Sequence, residues 1–190
     1  MKNFLCISEI IHNENMKQIL LTILSLVFIV QLGQAQDNKF ERLEFLLGNW
    51  HGTGSGFGNN NSVIESSFNL VMDDNYIEVS NESKFEPTEK NPEGEHHIDK
   101  GFISFDKTRS AIVFRQFNNE GYYNQYVLVD SLSNDTKLVF YTEFIENFVP
   151  GGKARWIIKK LSETEIETTF DVSFPNKEYT CFGTNKLTKQ

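Results

Sequence analysis

The chain has 190 residues, a net charge of −8, and 39% hydrophobic against 23% charged residues. These values suit one folded domain with an appendage and exclude wholesale disorder, and the acidic balance excludes a nucleic-acid binder, which needs Lys and Arg against phosphate. Two cysteines exclude a disulfide framework or a thiolate zinc site, while seventeen phenylalanines point to an aromatic core or an aromatic-lined cavity.

Residues 19–30, ILLTILSLVFIV, form an apolar run of twelve, short of the roughly 20 residues that cross a bilayer. Lys17 precedes the run, and Gly33-Gln34-Ala35 follows it with small residues at the −3 and −1 positions of a cleavage site. This is the pattern of a secretory signal peptide cut after Ala35. Met16-Lys17 reads as a natural start, which makes residues 1–15 an over-extended reading frame. The expectation is an exported protein, periplasmic or secreted, with no stable membrane anchor and with residues 36–190 as its folded domain. Cys6 leaves with the leader, and Cys181 is expected to be a buried, inert thiol.

The segment from Asp37 to Gly48 predicts a short helix. Phe40, Leu43 and Leu47 fall at i, i+3 and i+7, with Leu46 beside them. Asp37 suits its cap and Gly48 its left-handed stop. Ten strand candidates follow, at 49–56, 63–71, 75–84, 96–106, 110–117, 122–131, 136–145, 152–161, 164–173 and 178–188. They are rich in Val, Ile, Thr, Phe and Tyr, and turn residues such as Asp73-Asp74-Asn75 and Ser133-Asn134-Asp135 separate them. Sequential antiparallel hairpins are the natural topology. An open sheet would leave Phe-rich edges, so closure is expected. The predicted fold is all-β: a ten-stranded antiparallel up-and-down barrel with a short N-terminal capping helix. The loop at 86–95, EPTEKNPEGE, is expected at the rim away from that cap.

The first strand opens with Gly48, Trp50, Gly52 and Gly54 in a G-x-W-x-G-x-G pattern. Trp50 supplies a plug for the barrel floor, and the glycines let the strand coil where the barrel closes. On this motif, the ten-strand rhythm and the segment from His97 to Asp106, the chain resembles the calycin superfamily, and within it the nitrobindin-like haem-binding β-barrels. The resemblance implies a barrel with a helical cap, and ferric haem held by a histidine near the chain's end. This sequence departs from that pattern, because no histidine follows His97. Tyr179 and Cys181 are the remaining residues of that region with iron-ligating chemistry. The expectation is a cavity without a haem cofactor, and no metal site.

Arg115 interrupts an apolar strand, on the parity of Ala111, Val113 and Phe117. A guanidinium there either pairs with a carboxylate such as Glu143 or Asp171, or receives a ligand's carboxylate. Strand parity puts Tyr126 with Tyr122 and Leu128, and Gln125 with Tyr123 and Val127. It puts Tyr141 with Val139 and Glu143, opposite Leu138, Phe140, Thr142 and Phe144. Adjacent strand residues face opposite ways, so one of His96 and His97 faces the interior, while His51 lies opposite Trp50 and faces solvent. The candidate ligand-binding residues are therefore Arg115, Tyr126, Tyr141, Gln125 and His97, and Arg155 or Lys186 is expected to stack on a tryptophan. The expected partner is a small, mostly hydrophobic molecule, bound by a monomer or a homodimer. A cavity enzyme using Glu143, Asp171 or His97, and a solidly packed interaction module, are the alternatives.

Overall fold

The computed structural model describes residues 39–56, 60–89 and 92–190. The leader, its cleavage site and Asp37 lie outside the described residues. Ten strands run in chain order: β1 (Gly48–Gly56), β2 (Asn60–Val71), β3 (Tyr76–Phe85), β4 (Glu95–Asp106), β5 (Ala111–Asn118), β6 (Tyr123–Leu128), β7 (Lys137–Glu146), β8 (Lys153–Lys160), β9 (Glu165–Ser173) and β10 (Thr180–Lys189). Each pairs antiparallel with its chain neighbours, and β1 pairs with β10, from Trp50 opposite Lys189 to Gly56 opposite Gly183. The barrel is closed and up-and-down, as the hairpin rhythm predicts.

The capping segment is a 3-10 helix, Glu41–Leu46, rather than an α-helix. At three residues per turn, side chains three apart eclipse one another. The buried stripe is accordingly Phe40, Leu43 and Leu46, all nearly inaccessible, and Leu47 lies outside it. Leu47 has already turned extended, and Gly48 takes φ +118° as the chain enters β1. Trp50 closes this end of the barrel. Its indole N–H donates to the Leu46 carbonyl at 2.7 Å, and the Lys189 ammonium sits 5.3 Å from the ring centre. Within the barrel, Ile64, Phe68, Ile77, Ile103, Phe114, Leu138, Phe140 and Ile158 pack above this floor.

The opening glycines follow from the closure. A Cβ on Gly52 would collide with the Lys186 carbonyl on β10, and one on Gly101 with the Arg115 carbonyl on β5. At these two points neighbouring strands approach too closely for any side chain.

Two β-bulges re-aim side chains. Gln125 pairs with Phe144 but Tyr126 pairs with Thr142, so Glu143 is an extra residue. Beyond it the parity of β7 inverts: Phe144 points outward, 53% exposed, and Ile145 lines the interior instead. A second shift lies between Cys181 and Gly183 on β10.

Truncating the plug tests this account. Trp50→Ala removes the N–H bond and the largest buried side chain at the closed end. It should cost about 3–5 kcal/mol in urea unfolding, with the strand content of the remaining folded fraction unchanged by circular dichroism.

Candidate functional site

The end opposite Trp50 is open. The β3–β4 loop borders it, as predicted, together with the β5–β6, β7–β8 and β9–β10 connections. From this mouth a cavity of about 280 Å³ runs down to Tyr126, Trp156 and Leu187. The interior is therefore not solidly packed.

The cavity has two unlike walls. On β7 to β9 the inward positions are Ile145, Ala154, Trp156, Phe170 and Val172, joined near the mouth by Phe148, Phe174 and Phe182. Trp156 is the hub of this wall. Its ring centre lies 5.3 Å from that of Phe114, 5.8 Å from Phe140 and 6.5 Å from Phe68. Tyr126 stacks on Phe114 at 5.7 Å. Toward the mouth the rings continue as an arc, Tyr122 to Phe148 to Phe174 to Phe182, with centres 5.6–6.2 Å apart.

On β2 to β6 most inward positions near the mouth are polar, Phe85 excepted: Ser62, Ser66, Asn81, Ser83, His97, Asp99, Gln116 and Asn124, with Asn185 from β10. Asn124 donates to Gln116 at 3.1 Å. The side chains of Ser62, Ser66, Asn81, Ser83, Thr168 and Asn185 meet no hydrogen-bond partner among the described residues, and neither does the Tyr126 hydroxyl. Among the described residues no fully enclosed side-chain polar atom is left unsatisfied, so these groups present their hydrogen-bonding capacity to the cavity.

The charged feature of the cavity is His97, clamped between two carboxylates. Its Nε2 lies 3.1 Å from Asp99, two residues on and on the same strand face, and its Nδ1 lies 3.0 Å from Glu120 in the β5–β6 turn. The Asp99 hydrogen bond dominates, outweighing partial burial, and with Glu120 it raises the imidazole to about 9. His97 is thus an imidazolium at neutral pH, and both ring nitrogens are donors. Burial, reinforced by the Asp99 charge, pushes the Tyr126 phenol far up, so it stays a neutral hydroxyl.

Of the five candidate ligand-binding residues, His97 and Tyr126 line the cavity. Arg115, Gln125 and Tyr141 lie on the outer face, a correction to their expected site. Parity explains it: on β5 the inward residues are Phe114 and Gln116, so Arg115 points out and donates to the Ser104 hydroxyl at 3.0 Å. Gln125 binds Glu143 at 3.1 Å, and Arg109 holds the same carboxylate at 3.0 Å. Tyr141 belongs to an outer cluster. Arg155 forms a 2.7 Å ion pair with the nearly buried Asp171 and lies 4.7 Å from the ring centre of Tyr179, which stacks on Tyr141 at 5.7 Å. Burial opposes the Arg155 charge, but bonds to Tyr141 and Asp171 outweigh it and raise its pKa. Arg155 therefore stacks on tyrosines, not on a tryptophan. Tyr179 is engaged in this cluster, and Cys181 shares the outer face with Asp171 and is exposed, where a buried thiol was expected. His51 and His96 face outward and pair with Glu65 and Glu82.

Sequence reading missed Asp99, Glu120 and the unpartnered serines and asparagines. Two signals were present: His97 and Asp99 share a face at i, i+2, and Asn81-x-Ser83 and Gln116-x-Asn118 place polar residues where a filled barrel would carry aliphatic ones.

Among solved structures, the fold is similar to that of Rv2717c from M. tuberculosis, with a TM-score of 0.59 at 15% identity over 80% of this chain and 97% of that one. Two further barrels share less of it. EF1p2_mFAP2b, solved bound to DFHBI, has a TM-score of 0.42 at 13% identity, covering 79% of this chain and 98% of that one. A de novo designed fluorescence-activating β-barrel has a TM-score of 0.40 at 10% identity, with the same coverage. No protein-family model matches the sequence, and no curated protein matches it. The class that the architecture defines is the closed, ten-stranded, up-and-down antiparallel β-barrel.

Two outcomes are expected. NMR titration should find His97 near 9, and Asp99→Asn should lower it toward 6.5. Because the folded state holds the proton more tightly than the unfolded one, the stabilisation from His97 is complete below about pH 6.5. It is lost as pH rises through about 9, a change of up to about 3 kcal/mol that urea titrations at pH 6 and pH 10 should detect. On the outer face, Asp171→Ala leaves the Arg155 charge without its partner and should cost about 2 kcal/mol.

Proposed function

We propose that this barrel binds a small, largely apolar, planar ligand in its cavity, and that it does so as an exported, nitrobindin-like protein without haem. The observation that carries the reading is the cavity itself: an aromatic wall facing a belt of polar side chains, several of which meet no partner among the described residues. Burying serine and asparagine side chains without partners is unfavourable, so their retention around a space of about 280 Å³ suits an occupant that carries hydrogen-bonding groups on one side. The volume falls just below the roughly 300 Å³ at which drug-sized ligand pockets begin, so the occupant is smaller than those. A cavity of about 150 Å³ already holds benzene, so one or two rings fit, stacked along Trp156 and Phe170.

The haem-free part of the reading rests on where the candidate ligands sit. Both ring nitrogens of His97 are occupied by carboxylates, and Tyr179 and Cys181 belong to the outer face. That neither late-chain candidate faces the cavity supports a haem-free reading. The export part rests on the leader pattern alone, and amino-terminal sequencing of protein recovered outside the cytoplasm should begin at Gln36.

The binding test pairs a ligand screen with a blocking variant. A panel of one- and two-ring aromatics should raise the melting temperature of the wild type and quench Trp156 fluorescence. Ser83→Trp fills the mouth side of the cavity and should weaken binding at least tenfold while leaving the unliganded melting temperature within a few degrees. Ferric haem added to the same protein should give no tight Soret shift. Such a shift, abolished on replacing His97, Tyr179 or Cys181, would overturn the haem-free reading.

A further inference from the structure

The charges around the cavity are one-sided. Among the described residues, no lysine or arginine lines it. The titratable groups facing it are His97, Asp99, Glu120, Tyr122 and Tyr126, drawn from β4, β6 and the β5–β6 turn. Two carboxylates against one imidazolium leave a net negative charge, and deprotonating His97 only deepens it. The arginine that sequence parity offered for a ligand carboxylate, Arg115, lies outside, bonded to Ser104.

The uncharged groups point the same way. Trp156, Tyr126 and Phe170 offer π faces, which attract cations and repel anions. Tyr126, 1% exposed, and Ser62, Ser66 and Thr168, each 5–6% exposed, have hydroxyl oxygens free to accept. An ammonium has three donors and no acceptor, so acceptors of this kind complete its shell in place of water. Asp99 supplies the countercharge that makes burying it tolerable.

We propose that the cavity discriminates by charge, taking a small aromatic amine in its protonated form and rejecting aromatic carboxylates. The inference rests on the cavity-binding reading above and names the chemistry of the occupant. The ring lies along the aromatic wall, and the ammonium meets Asp99, the Tyr126 hydroxyl and the serine belt.

Three probes of one shape and different charge test it: phenethylamine, ethylbenzene and phenylacetate, titrated into the full chain by calorimetry at pH 7. Phenethylamine should bind at least tenfold more tightly than phenylacetate, with ethylbenzene between them. Asp99→Asn should bring amine and carboxylate within about threefold of each other. Glu120→Gln, at the exposed rim, should reduce the preference severalfold and serves if the Asp99 variant does not fold. Equal or tighter binding of phenylacetate overturns the inference, as does an amine preference that survives both substitutions. If ethylbenzene binds and the amine gains nothing, charge selection falls and the binding reading stands; if none of the three binds, both fall.

Discussion

Closure of β1 onto β10 is the constraint on which the rest depends. A ten-stranded sheet with an apolar inner face is stable only if that face is shared among all strands and no edge is left unpaired. The seam makes this possible through glycine. Gly52 lets β10 pass against β1 at the Lys186 carbonyl, and Gly56 does the same at Phe182. The seam strand also carries Trp50, so the residue that seals the floor is placed by the pairing that closes the wall. The 3-10 helix completes the seal because its three-residue period stacks Phe40, Leu43 and Leu46 over the opening.

Above that floor the barrel is asymmetric about its axis. Strands β7 to β9 keep mostly aromatic and aliphatic residues up to the mouth, whereas β2 to β6 turn mostly polar halfway along. Rings are densest on the β7 to β9 side, and the serines and asparagines of the facing strands leave open space opposite them. The cavity is the geometrical remainder of that mismatch. The clamp at His97 then fixes its electrostatics, since one strand face and one turn bring two carboxylates to a single imidazole.

Strand positions were legible because period-two patterning and Asn, Asp and Gly turns are local signals. Each strand was anticipated to within a few residues. Which side of a strand faces inward was less legible, because it is a property of the whole barrel. Arg115 looked internal since Val113 and Phe117 share its parity, yet Phe114 and Gln116 on the other parity face the interior. A single bulge at Glu143 inverts the end of β7, and no local signal marks it. The helix was misread in period rather than place: Phe40, Leu43 and Leu46 fit three residues per turn as well as an α-helical stripe, and six residues are too few to decide. The Glu120 contact was invisible because a turn residue reaches His97 across 23 positions of sequence.

The division between a dry lower half and a lined upper half separates two kinds of selection. Trp50, Phe68, Ile77, Phe114 and Phe140 hold the barrel together, and losing any of them erodes a small stability margin. Ser83, Asn81 and Asn185 hold nothing together, since their side chains bond to no other part of the described protein. A substitution there alters what enters the cavity without approaching the threshold at which the fold fails. This architecture therefore lets recognition drift through generations of sequence change while the scaffold beneath stays put.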